Sequence, residues 1–240
     1  MRYYDYSPSQ LEEKANELIC KMDVARLTNP KKIDVYDVVD YIGCTPDWKY
    51  ITPKKKVMGM TAFNDGTMYF WPASYYEVGM IPEKTFVEKG TIVIEQSILD
   101  DDNIGKENFT VMHECFHWLL HRKCFVRRTD GFSSMCGNQA FRSFSEKKKG
   151  MTALEINEYQ ANFCAAVFLM PRKAVIDVFS QYYGDKLQEN EYLYLNSHIN
   201  SAIATTAKEF NVNYSAMKYR LQSLRIITRE QRNEVDYIIN

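Results

Sequence analysis

Apolar residues recur at three- and four-residue steps between positions 9 and 26, where Leu11, Ala15, Leu18, Ile19 and Met22 alternate with polar groups. That spacing lines one face of an amphipathic helix, with Ser9 as its expected cap and acidic residues in its first turn. Asp34 opens a shorter helix, VYDVVDYIG, which Gly43 ends. Segments 57–63 (VMGMTAF) and 67–71 (TMYFW) flank Asn64-Asp65-Gly66, a strong turn signal, and predict a hairpin with a three-residue loop. Residues 91–95, TIVIE, form a β-branched strand. A polar lead-in over 100–103 precedes a helix over 104–121 that runs into His-Arg-Lys, cations where the helix dipole favours them. Periodicity breaks from 122 to 152, returns from 154 to 170, and stops at Pro171. Residues 202–210, a turn at Asn211-Val212-Asn213, and residues 214–224 have the lengths of a helix-turn-helix.

Composition narrows the class. The 240 residues are 45% apolar and 25% charged, which excludes a disordered or fibrous chain and fits one globular domain, or a domain with a small appendage. The expected division is a domain over 1–195 and a helical region over 196–240. A net charge of -1 offers no chain-wide basic field for nucleic acid. No apolar run approaches the ~18 residues of a membrane span, and the opening MRYYDYSPSQLEEK lacks the layout of a secretory signal, so a cytoplasmic placement is expected. Six scattered cysteines without a C-x-x-C pair fit reduced thiols, though Cys124 and Cys136 are close enough in sequence to bond or share a metal. The 122–152 stretch holds eight basic residues against two acidic ones, a solvated insertion or a binding loop.

The strongest chemical signal is His113-Glu114-Cys115-Phe116-His117, an H-E-x-x-H sequence on a predicted helix. One turn brings both imidazoles to one face, where they can reach a single metal ion, and sets Glu114 beside it to hold a water. A catalytic zinc site needs a third protein ligand. His121 stands eight residues beyond His113, about 12 Å of helical rise, too far to share the ion. Its expected role is that of a helix-end residue. Glu158 and Asn162, one turn apart on a face otherwise small or apolar, are the better candidates. Glu158 would be the third ligand, and Asn162 would hydrogen-bond the far nitrogen of one ligating imidazole. Glu155 is the rival ligand.

HECFHWLLH followed by EYQANFCAAVFLMP resembles the paired signature of the ImmA/IrrE family of bacterial zinc metallopeptidases. The likeness runs from about Lys14 to Ile227. Cys115 and Phe116 replace the family's usual Leu-Gly, and Cys164 stands where Ala is common. The resemblance implies an α+β fold with a zincin-like (gluzincin-like) core and a helix-turn-helix-like carboxyl-terminal region. It implies one zinc ion (Zn2+) on His113, His117 and Glu158, with Glu114 as catalytic base. It also implies a helix-turn-helix transcriptional repressor as substrate, often encoded beside the peptidase in a mobile element, and so an anti-repressor role. Candidates for stabilising an oxyanion are His198, Tyr182, Tyr183 and Arg172. TIVIE or the TMYFW strand is expected to offer the sheet edge to substrate.

Two further classes stay open at this point. One is a DNA-binding regulator with a structural metal, using Lys218 and Arg220 of the last helix. Its Tyr-Ser-Ala-Met start is poor in base-reading side chains, which favours a packing or substrate-recognition role over direct nucleic-acid binding. The other is a toxin or antitoxin interaction module that keeps the fold without turnover.

Overall fold

A computed structural model describes residues 3–52, 57–73, 75, 77–101, 103–125, 151–185, 187 and 192–228. Most of the basic insertion, including Cys136, lies outside them. The fold is mixed α+β. The first helix, α1, spans Pro8–Asp23 and buries Leu11, Ala15, Leu18 and Ile19. Its cap is Ser7 and not Ser9, and its first turn holds no acidic residue. Pro8 is pre-set for a first helical position, and the Gln10 side chain accepts from the Ser7 N–H, closing a capping box two residues earlier than expected. A 3-10 turn, Val24–Leu27, follows. Helix α2, Val35–Tyr41, is capped by Asp34, and Gly43 beyond it takes φ +71°, a left-handed conformation that glycine adopts without strain.

Five strands are described: β1 Thr45–Lys49, β2 Gly59–Thr61, β3 Gly66–Phe70, β4 Glu83–Val87 and β5 Thr91–Glu95. They pair as a three-stranded sheet of order β1-β5-β2 and a separate antiparallel pair, β3-β4. The expected hairpin across Asn64-Asp65-Gly66 is therefore not formed. β2 instead pairs antiparallel with β5, with Met60 opposite Val93, and past the turn β3 leaves to meet β4. The Asp65 carboxylate accepts from the Lys89 N–H, tying the turn to the β4–β5 link. β5 runs parallel to β1 on its other side and is the central strand. Ile92 and Ile94 enter the main core, while Val93 joins a smaller cluster with Met60, Met68, Phe70 and Val87. Burial on both faces explains the unbroken apolar run Ile92-Val93-Ile94.

A short helix, α3 (Ser97–Asp100), leads to α4, Ile104–His121, capped by Asn103. Helix α4 is buried almost all round, against the sheet on one side and α5, Ala153–Leu169, on the other. Pro171 then caps α6, Arg172–Tyr183. Helices α7, Ser197–Glu209, and α8, Tyr214–Ser223, are joined by the expected turn, although α7 begins five residues earlier than its apolar spacing suggested. The main core is continuous from Leu11 through Phe116 and Phe168 to Ile203 and Leu221. No helix among the described residues is long and apolar enough to cross a membrane.

Candidate metal centre

Helical geometry alone stacks His113, His117 and His121 along one side of α4, and all three are fully buried. The Nε2 atoms of His113 and His117 lie 2.9 Å apart. Glu158 of α5 reaches in between them, with Oε2 3.3 Å from His113 Nε2 and Oε1 3.4 Å from His117 Nε2. Two imidazole nitrogens and a carboxylate thus converge, every donor atom within 4.8 Å of the others. Ligand atoms on a tetrahedral ion with bonds of about 2.0–2.1 Å lie roughly 3.3 Å from one another, so this group fits a metal in spacing and donor type.

The other side of each ring is taken. His113 Nδ1 lies 2.9 Å from Asn162 Oδ1, the contact expected of Asn162. His117 Nδ1 lies 3.0 Å from His121 Nδ1, whose Nε2 lies 3.0 Å from Gln160 Oε1. His121 is thus no helix-end cation. Burial, with the neighbouring His117, holds its pKa down to about 3, so the ring is neutral. Neither His121 nor Gln160 was marked as a pair by the sequence, since 39 residues separate them. A weak signal was available: His121 continues the i, i+4 series of the motif.

The Glu114 side chain reaches β2. Its Oε2 accepts from Thr61 Oγ1 at 2.8 Å, while Oε1 is buried with no hydrogen-bond partner. Burial pushes this carboxyl up to about 8, against the opposing pull of His113 and the Thr61 hydroxyl. Glu158 moves the other way: burial raises it, but the hydrogen bonds and charges of the two imidazoles outweigh that and hold it well below the usual carboxylate range. Burial lowers His113 too, yet Glu158 and Glu114 leave it raised; burial and the neighbouring His113 lower His117. Gly59 is what lets β2 approach. A Cβ there would stand 2.8 Å from Thr110 Cγ2 and 2.9 Å from Glu114 Oε1. This glycine, Thr61 and Gln160 are the contributors that sequence reasoning missed.

The remaining candidates lie elsewhere. Glu155 closes a capping box with Thr152 at the start of α5, its carboxylate accepting from the Thr152 N–H at 2.8 Å. Tyr182 donates to Glu209, Arg172 pairs loosely with Glu12 at 3.8 Å, and His198 Nε2 sits 2.8 Å from the Tyr183 carbonyl. Cys124 is a free, buried thiol. The expected substrate edge needs correction as well. TIVIE is flanked on both sides and TMYFW belongs to the other sheet, so the edge strand against the motif helix is β2. Comparison with family profiles and with curated proteins gives no match for this chain.

Proposed function

We propose that the protein is a zinc-dependent endopeptidase with a zincin-like core, similar to the ImmA/IrrE peptidases. The observation that carries this is the pairing of a convergent His113, His117, Glu158 donor set with a buried Glu114 whose Oε1 has no partner. A structural site has no use for such a carboxylate, whereas hydrolysis needs a base there. Zinc held by the three residues supplies a Lewis-acid charge that acidifies water and polarises a carbonyl. The chain's own groups do the rest. Asn162 orients His113, and Thr61 holds Oε2 of Glu114 while Oε1 keeps no hydrogen-bond partner and can accept a proton. Glu114 takes the proton from the reacting water and hands it to the leaving amine. A substrate segment must be extended and accessible to reach a site this buried.

The proposed substrate is a small helix-turn-helix repressor cut in an exposed linker, which makes the protein an anti-repressor. Incubation of zinc-loaded protein with a repressor encoded beside it, followed by fragment sequencing, should show one cut. Glu114→Gln should keep zinc and lower the rate by about two to four orders of magnitude. Wild-type cleavage by that variant would remove Glu114 from the chemistry, and an intact repressor with bound zinc would favour an interaction module.

A further inference from the structure

We propose that His121 and Gln160 are positioning residues that relay a fixed hydrogen-bond direction from the Tyr4 carbonyl to His117, keeping His117 Nε2 unprotonated and able to ligate the metal. This rests on the metal-centre reading above. The direction of the relay follows from its far end. Gln160 Nε2 donates to the backbone oxygen of Tyr4 at 2.6 Å, and a carbonyl can only accept. That bond forbids the flipped amide, which would set Gln160 Oε1 against the Tyr4 oxygen. Oε1 therefore faces His121 Nε2, 3.0 Å away, and His121 must donate from that nitrogen. A wholly buried imidazole with no carboxylate on it carries one proton, so His121 Nδ1 is an acceptor. The ring 3.0 Å away must then donate, and His117 holds its proton on Nδ1.

Every member has one allowed orientation, and all follow from one main-chain oxygen. The opposite direction would protonate His117 Nε2 and turn an N–H toward the place a metal would take. Asn162 treats His113 in one step; His117 is treated through two side chains and a segment of chain ahead of α1. The packing of residues 3–7 is thereby coupled to the ligand geometry. Tyr6 in that segment packs against the main core, which holds the Tyr4 carbonyl in place.

Two readouts separate this from a merely structural role. The first is the tautomer of His117 in metal-free protein, from long-range proton–nitrogen spectra of labelled histidines: wild type should show the Nδ1–H form. The second is zinc affinity by chelator competition. His121→Leu removes the acceptor and should lower affinity about ten- to a hundredfold with loss of the single tautomer. His121→Asn, which can offer an amide oxygen in place of Nδ1, should recover most of it. Gln160→Leu leaves His121 free to turn over, so it should mix the His117 tautomers even if His121→Leu does not fold. A single Nδ1–H tautomer and wild-type affinity in Gln160→Leu would overturn the relay. Absence of zinc binding by wild type would instead overturn the metal centre, a distinct result.

Discussion

Burial raises both carboxyl groups of the centre, but their neighbours differ and the net shifts are opposite. Glu158 lies between two imidazoles and stays ionised, whereas Glu114 faces β2 and is pushed up to about 8. In the metal-free protein Glu114 therefore holds a proton at neutral pH that it would lose on unfolding, where its pKa is near 4.5. A group whose folded pKa is raised contributes stability that is full below about 4.5 and lost as pH rises through about 8. Glu114→Gln should thus flatten the metal-free stability profile between those values, its advantage over wild type growing toward pH 8. Parallel urea titrations at pH 5 and pH 8 check this; equal differences at both would mean that Glu114 is not desolvated. His113 and His117 were legible as a pair because helical spacing fixes which side chains share a face, and Glu158, marked on the later helix, is the carboxylate that converges on them. His121 was misread for a physical reason: nothing local says whether a helix end is solvated, and here it is covered by α5 and the Tyr4 segment.

At the scale of elements, the longer helices apart from α6 were legible and strand pairing was not. Caps, apolar steps and Pro171 gave α4, α5 and their ends, since these signals act within a few residues. The turn Asn64-Asp65-Gly66 was real, but a turn signal does not say which neighbours its strands choose. β2 is three residues long and gains more from lying along β5 and under α4 than from pairing with β3. Its contact with α4 depends on Gly59. Gly59→Ala must move Thr110 or Glu114, or lift the strand, and overpacking of this kind costs about 1–3 kcal/mol. We expect that loss in thermal or urea unfolding together with a fall in hydrolysis exceeding any fall in zinc affinity, because the Glu114 side chain is displaced and the ligands are not. An unperturbed Gly59→Ala enzyme would show that β2 does not set the Glu114 rotamer.

Across the whole molecule the carboxyl-terminal helices are part of the same core as the metal centre. Arg220, one of two basic residues of the last helix that the DNA-binding alternative would use, is buried; its Nε donates to the Met170 carbonyl at 2.9 Å, and its guanidinium lies 3.8 Å from Glu12. The α7–α8 turn meets the start of α4, where Asn108 donates to the Asn211 carbonyl at 3.1 Å and Gly105 leaves no room for a Cβ beside Asn213. Such a pair of helices braces α4 and α5 against each other. Arg220→Met leaves the Met170 carbonyl unpaired and should cost about 1–3 kcal/mol in urea unfolding while zinc affinity stays within a few fold. Unchanged stability would mean that α8 is not held by this arginine. The helix-turn-helix lengths were readable from apolar spacing, but the inward turn of Arg220 was not, because a lone arginine on a helix is usually solvated.

The central claim is that His113, His117 and Glu158 together hold zinc. Chelator-competition titration of the purified protein tests it most directly, with Glu158→Ala and Glu155→Ala run beside wild type. About one zinc per chain should bind wild type and Glu155→Ala alike, with affinity lost sharply in Glu158→Ala. Retention of wild-type affinity by Glu158→Ala, or its loss in Glu155→Ala, would contradict the assignment.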